Sequence, residues 1–190
     1  QRGDAGFQYE WDHVYYNGKY YSYYGIAPVI LLYLPYHLIT GFYCSTNLSI
    51  MLFSIIGMIF LSLTYYVFLK KLYRKIPVGI AIAGHVILLS ACGIWFCIGR
   101  NIFYEISISS GFMFVAIGSF MLFSSNVFCK GKISLVRVAL SSLFMGLAVL
   151  CRPTLAVYCI CACIYFAYGL FKKEDSISVP VIESDDSKKK

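Results

Sequence analysis

The chain alternates between long apolar runs and short polar or basic connections. Five runs are long enough to cross a bilayer, because a spanning helix needs about twenty mostly apolar residues. They cover residues 49–69, 78–98, 107–128, 135–151 and 154–171. Within these runs the only Asp, Glu, Lys or Arg is Arg137, near the start of the fourth. The pattern therefore predicts an all-α, polytopic transmembrane bundle of about five spans.

A sixth apolar stretch, residues 26–42, differs from these five. It contains Pro28 and Pro35, which interrupt a regular helix, and it is followed by the first predicted span after only a few residues. The charge distribution described below requires both of its ends to lie on the same side of the membrane. We therefore expect a juxtamembrane or re-entrant helix pair here, with a sixth span as the alternative.

Basic residues are grouped in the connections between the runs. The groups comprise Lys70, Lys71, Arg74, Lys75, Lys130, Lys132, Arg137, Lys172 and Lys173. Loops rich in Lys and Arg remain on the cytoplasmic side, so residues 70–77 and 172–190 are predicted to be cytoplasmic and residues 1–48 to lie outside. This divides the chain into an outer loop with juxtamembrane helices at 1–48, transmembrane helices at 49–171 and a cytoplasmic linker or tail at 172–190.

Composition agrees with a membrane protein. Hydrophobic residues make up 59% of the chain and charged residues 13%, about half the charged share of a soluble domain. The net charge of +7 does not indicate nucleic acid, since the cations are grouped between apolar runs rather than along one face. Most of the eight Cys residues lie in apolar runs without polar companions, so we expect inert thiols and no metal site. The chain opens within a polar loop and ends on Lys residues, which we interpret as a fragment of a longer protein.

Residues 11–28 carry the most distinctive local pattern, because Tyr and Trp are concentrated there. Asn17-Gly18 is a strong turn sequence, and the flanking aromatic residues are placed to pair across a short hairpin. Two interpretations remain open. The aromatic side chains either stack on a sugar ring or form an interfacial girdle at the headgroups.

Two further groups of polar residues lie at predicted outward ends of spans. Arg100, Tyr104 and Glu105 belong to one loop, and a carboxylate so close to hydrocarbon needs a partner, for which Arg100 is nearest in sequence. Arg152-Pro153 interrupts two apolar runs. Each group is either a structural contact or a site that holds a phosphate and a sugar hydroxyl.

The histidines are weaker candidates for chemistry. His85 falls deep within a predicted span and, like His37, has no acidic neighbour in sequence, so we expect no catalytic role for either. His13 follows Asp12 in the predicted outer loop. Adjacent side chains in an extended strand point to opposite faces, so these two need not act together.

Several of these segments resemble one family of membrane enzymes. The sequence DHVYYNGKYYSYYGIAP at 12–28, then LP at 34–35 and TG at 40–41, is similar to the first outer loop of GT-C glycosyltransferases. These include the protein O-mannosyltransferases and the lipid A aminoarabinose transferase. The YE pair at 104–105 and GLA at 146–148 followed by RP at 152–153 extend the resemblance over most of the chain.

The resemblance implies an inverting sugar transfer from a polyprenyl-phosphate carrier to an acceptor at the outer face of the bacterial cytoplasmic membrane. In this interpretation Lys19, Arg100 and Arg152 bind the phosphate and Glu105 is an acceptor or positioning carboxylate. The tyrosines that shape the sugar pocket are Tyr20, Tyr21, Tyr24 and Tyr104. Membrane lipids are the other expected partners and nucleic acid is not. No cofactor is expected, although a divalent metal occurs in the wider superfamily.

One departure from the family concerns the base. Members carry a catalytic Asp early in the first outer loop, and Asp12 does not clearly occupy that position, so it is expected to shape the loop or bind substrate. The fragment is therefore expected to lack the catalytic Asp. The alternatives to a glycosyltransferase are a transporter or flippase segment and a non-catalytic membrane protein.

Overall fold

A computed structural model describes residues 13–22, 25–73, 76–100, 102–128 and 132–178, with the backbone alone at 13, 14, 20–22, 72 and 172–178. Across these ranges the chain forms one small hairpin followed by helices. The hairpin consists of β1 (His13–Tyr16) and β2 (Lys19–Ser22), antiparallel with Tyr16 opposite Lys19. Asn17 and Gly18 both have positive φ, at 50° and 76°, as a type I′ turn requires. The turn predicted at Asn17-Gly18 is confirmed.

The apolar stretch after the hairpin is helical but short. A π-helical segment (Val29–Tyr33) continues directly into α1 (Leu34–Thr40), so the stretch is one helix rather than a pair. Pro35 has no N–H to offer the preceding turn, and the wider π turn lies immediately before it. At twelve residues the helix spans about 18 Å, too short to cross a hydrocarbon core.

Three helices are long and apolar enough to cross a membrane, all at predicted positions. They are α2 (Thr46–Leu72), α5 (Phe103–Ser124) and α7 (Ala156–Ser178), the last preceded by a 3₁₀ turn (Pro153–Leu155). The helix α7 continues to Ser178, seven residues beyond the predicted end of the span at residue 171.

The second predicted span is bent. It consists of α3 (Val78–Ala91) and α4 (Ile94–Arg100), which meet at an angle of 40°. Gly93 lies at the break with φ 69°, a conformation that disfavours other residues. Counted as one broken span, the pair raises the number of candidate spans among the described residues to four.

The fourth predicted span is α6 (Leu135–Cys151), whose ends agree with the prediction. It has 17 residues, the lower limit for a crossing helix. The described helices thus support three to four crossings, and a fifth depends on α6.

The helix α5 is the centre of the bundle. It packs against α2 on one side and α6 on the other, while α4 covers its start. The core includes Phe53, Ile94, Ile106, Phe114 and Ala148. By contrast, the span of α7 is almost entirely exposed in this chain, so hydrocarbon or further protein must cover it.

Small hydroxyl residues bring the neighbouring helices close to α5. Ser109 and Ser119 are buried and donate hydrogen bonds to carbonyls one turn earlier, Glu105 and Val115. Ser141 of α6 instead donates across the interface to the Gly118 carbonyl at 2.8 Å. Small side chains of this kind let membrane helices approach closely, in the absence of a hydrophobic driving force between them.

Two cations cap the C-terminal end of α5. Lys71 Nζ donates to the Phe123 carbonyl at 2.7 Å and to Asn126 Oδ1 at 2.8 Å. Arg137 Nη1 donates to the Ser124 carbonyl at 2.6 Å. The last carbonyls of a helix have no intrahelical donors and carry partial negative charge, so both contacts stabilise this end.

Candidate functional site

The opposite, N-terminal end of α5 gathers four polar side chains that we call the Arg–Glu cluster: Arg100, Tyr104, Glu105 and Arg152. Arg100 ends α4, and Tyr104 and Glu105 lie in the first turn of α5. Arg152 occupies the extended break between α6 and the 3₁₀ turn, with φ −153° and ψ 114°. Pro153 explains this break, since the residue before a proline is driven out of the helical region.

Glu105 is the buried member of the cluster. Its side chain is 2% exposed, and Oε1 lies 3.6 Å from Nη1 of Arg100, whose side chain is 51% exposed. The ion pair predicted from sequence is confirmed. The carboxylate also lies in the first turn of α5, where unsatisfied N–H groups favour negative charge. The other oxygen, Oε2, accepts no hydrogen bond from the described residues, so the carboxylate retains an unused acceptor.

Arg152 reaches across the bundle to Tyr104. Its Nη2 donates a hydrogen bond to the Tyr104 hydroxyl, and its guanidinium carbon lies 4.7 Å from the centre of the same ring. Arg100 similarly lies 5.1 Å from the centre of the Phe96 ring. Stacking against an aromatic ring fixes the plane of a guanidinium while leaving other N–H donors available.

Cys97 completes the floor of the cluster. Cys97 is 4% exposed. Its thiol lies beside the Glu105 carboxyl and close to the charged groups of Arg100 and Arg152. It is one turn before Arg100 on α4, so both side chains face the same side of that helix.

The chain that follows the aromatic segment is fastened to the same end of the bundle. Gly25 N–H donates to the Cys151 carbonyl at 3.3 Å, next to Arg152. A Cβ at Gly25 would collide with the Leu150 and Cys151 carbonyl oxygens, so only glycine permits this approach. Gly25 is therefore held next to Arg152 of the Arg–Glu cluster.

This arrangement is suited to an anion. The cluster contains two guanidiniums and one carboxylate, so it carries a surplus positive charge, and each guanidinium has more N–H donors than its present contact uses. Planar N–H pairs match phosphate oxygens, and Arg100 is exposed enough to meet a ligand from outside the bundle. Among the described residues, no group of three or more His, Cys, Asp or Glu side chains is placed to hold a metal.

The structure brings some of the predicted site residues together and leaves others apart or undescribed. The structure brings together Arg100, Tyr104, Glu105 and Arg152. Lys19 is exposed at the start of β2, and the hairpin strands contact chiefly each other. Tyr20 and Tyr21 belong to β2 but are described only in their backbone, while Asp12 and Tyr24 lie outside the described residues.

Sequence reasoning did not assign Gly25, Phe96 or Cys97 to this site. Phe96 and Cys97 precede Arg100 by four and three positions, so helical spacing alone would have placed both of them one turn before it. Nothing local indicated the Gly25 contact, because its partner is 126 positions away on α6.

The two histidines within the described helices make structural contacts. His37 stacks on Tyr43 with ring centres 4.6 Å apart at the end of α1. His85 Nε2 lies 2.9 Å from Ser62 Oγ between α3 and α2. Neither lies in the Arg–Glu cluster.

The apolar helices define the chain as a multi-pass membrane protein. No protein-family model, curated protein or solved structure matches it. The Arg–Glu cluster is therefore the feature of the chain that indicates a function.

Proposed function

We propose that the chain is part of a membrane glycosyltransferase of the GT-C kind, which transfers a sugar from a polyprenyl-phosphate carrier to an acceptor. The observation that supports this proposal is the convergence of Arg100 and Arg152 around Tyr104 and the buried Glu105. Arg100 ends α4, Tyr104 and Glu105 begin α5, and Arg152 follows α6, so three separate parts of the chain supply the cluster.

The proposed chemistry assigns the guanidiniums to the leaving group. An acceptor hydroxyl attacks the anomeric carbon, the bond from that carbon to the phosphate oxygen breaks, and the electron pair remains on the polyprenyl phosphate. Arg100 and Arg152 would stabilise this charge as it develops, and preorganised donors of this kind contribute most in a site that excludes water. The proton of the acceptor passes to a general base, which is expected to lie outside this chain. Asp12 is the weaker candidate for that base, because it does not occupy the position of the family's catalytic Asp.

Glu105 is proposed to position the cluster and the sugar. Its ion pair with Arg100 orients that guanidinium, while Oε2 is available to accept a hydrogen bond from a sugar hydroxyl. The outer loop is proposed to close the site through Lys19, Tyr20, Tyr21 and Tyr24. The fastening of Gly25 next to Arg152 supports this, because it holds the end of that loop at the cluster.

The proposed orientation places the Arg–Glu cluster on the outer face of the bacterial cytoplasmic membrane and Lys71 on the cytoplasmic side. It requires α6 to cross. Arg137 near the start of α6 contacts the last turn of α5, and Arg152 after its end contacts the first turn. With an Arg side chain reaching α5 near each of its ends, α6 therefore covers most of the length of α5, which supports a fifth crossing.

The rival interpretation, a transporter or flippase, calls for polar or charged groups along a pathway at the membrane midplane. Among the described spans the ionisable cations and carboxylate lie at helix ends, and His85 inside α3 is satisfied by Ser62. This distribution favours chemistry at one face.

The test measures transfer of radiolabelled sugar from polyprenyl-phosphate donors in membranes that contain the complete protein of which this chain is proposed to be a part. Arg100→Ala and Arg152→Ala should each abolish most transfer. Lys132→Ala removes the same charge at the opposite end of the bundle and should leave transfer unchanged. Equal amounts of inserted protein must be confirmed for every variant. Absence of transfer by the unaltered protein with every donor tried would reject the proposal.

A further inference from the structure

We propose that the groove between α2 and α3 is a binding site for an anionic phospholipid. Its phosphate would lie on Lys70, and one acyl chain would lie between the two helices. This site is at the opposite end of the bundle from the Arg–Glu cluster and does not depend on the function proposed above.

The groove has the size and shape of a ligand site. Its volume is about 730 Å³, within the range typical of pockets for small molecules, and it is open along one side. Leu69 of α2, Val78 and Ile82 of α3 and Ile76 between the helices supply apolar walls. An opening between two membrane helices is accessible from the bilayer, so a lipid can enter it laterally.

The polar groups at the deep end of the groove satisfy one another. His85 Nε2 and Ser62 Oγ are 2.9 Å apart, and the Tyr65 hydroxyl donates to the Ala81 carbonyl at 3.0 Å. The Tyr65 and His85 rings are also stacked, with centres 5.5 Å apart. Since these groups already have partners, the surface they offer to a ligand is largely apolar, which suits an acyl chain.

The described cation of the groove lies near the C-terminal end of α2. Among the described lining residues, Lys70 is the only one with a permanent charge, and its Nζ lies 5.8 Å from the centre of the Tyr66 ring. The neighbouring Lys71 is directed towards α5 instead. One exposed ammonium above an apolar groove complements a lipid with a net negative headgroup, and a basic residue near such a lipid contributes about fivefold in affinity.

The experiment measures lipid binding to the purified full chain in phosphatidylcholine nanodiscs, to which phosphatidylglycerol is added. Retained lipids are counted by native mass spectrometry after release into detergent. The unaltered chain should retain phosphatidylglycerol preferentially, and Lys70→Gln should reduce that preference by about fivefold. Ile82→Trp, which fills the groove, should reduce retention of both lipids.

Two matched controls separate the groove from general effects. Lys132→Gln removes one positive charge at the same end of the bundle, and Ile80→Trp adds the same bulk on an exposed position of α3 outside the groove. Both should bind lipid as the unaltered chain does. Equal losses in Lys70→Gln and Lys132→Gln, or the absence of any preference in the unaltered chain, would overturn the proposal.

Discussion

Arg152 and Tyr104 are bound to each other by two interactions at once, a hydrogen bond from the guanidinium to the phenolic hydroxyl and a guanidinium stacked 4.7 Å from the ring centre. They are 48 positions apart and belong to different helical segments. The contact ties the break between α6 and α7 to the first turn of α5. It therefore determines where one of the two proposed phosphate-binding cations can point.

The two interactions can be separated by substitution. Tyr104→Phe removes the hydroxyl but keeps the ring under the guanidinium, so it should lower the free energy of unfolding by about 1 kcal/mol. Tyr104→Leu also removes the aromatic face and should cost about 0.5–1 kcal/mol more. Equilibrium unfolding in bicelles measures both. Equal losses from the two variants would show that the stacking contributes nothing.

Gly25 provides a steric test of the connection between the outer segment and α6. Gly25→Ala introduces a Cβ against the Leu150 and Cys151 carbonyls, so it should destabilise the protein by about 1–3 kcal/mol. Gly146→Ala is the matched control, because nothing lies within 4 Å of a Cβ there and the position is helical. The control should be neutral or slightly stabilising. Thermal unfolding in detergent compares the two, and a neutral Gly25→Ala would contradict the close approach.

Adjacent lysines at the end of α2 should behave differently. Lys71→Met removes a donor from the last carbonyls of α5, whereas Lys70→Met leaves that helix untouched. Loss of a cation at a helix C-terminus costs about 0.3–1 kcal/mol, so amide exchange in the last turn of α5 should accelerate roughly two- to fivefold in Lys71→Met alone. Hydrogen–deuterium exchange measures this, and acceleration in both variants would mean that the effect is not local.

The attachment of α7 depends in part on one polar contact. Tyr158 OH and Ser119 Oγ are 2.7 Å apart across the interface with α5. Tyr158→Phe should lower stability by about 0.6 kcal/mol, the average for hydrogen bonds between membrane helices. Tyr165→Phe alters a tyrosine that is 66% exposed and should have no effect. Steric trapping of the unfolded state resolves differences of this size. Equal stabilities of Tyr158→Phe and Tyr165→Phe would show that the Tyr158 hydroxyl does not stabilise the interface with α5.

The helices could be predicted well because hydropathy alone determines where apolar backbone must be helical in a bilayer. The ends of α6 at Leu135 and Cys151 agree with the prediction, and Pro153 indicated the break that follows. The hairpin turn could also be predicted, since Asn17 and Gly18 readily adopt positive φ.

The bend between α3 and α4 could not be predicted. A glycine inside an apolar run is tolerated in straight helices. The presence of Gly93 therefore did not indicate that it would adopt a φ of 69° and bend the span. Only the packing of α4 against α2 and α5 shows where the second half of the span is directed.

The site was predictable in part for the same physical reason. Arg100 and Glu105 are close in sequence at the start of a helix, so their ion pair follows from the cost of a lone buried carboxylate. The contact of Arg152 with Tyr104 depends on how α6 packs along α5, which local sequence does not encode. The contact of Gly25 with Cys151 depends on the same packing, whereas Cys97 lies one turn before Arg100 on α4 and could have been assigned from helical spacing.

The two cations that cap the C-terminal end of α5, Lys71 and Arg137, also imply an order in which this end is stabilised during synthesis. Lys71 leaves the ribosome before α5 exists, whereas Arg137 follows it on the next helix. The final turn of α5 thus acquires one of its caps as soon as it meets α2, and the second only when α6 has been translated. A nascent chain that stops at residue 128 should therefore hold the end of α5 by Lys71 alone, and this end should become better protected once α6 has been translated.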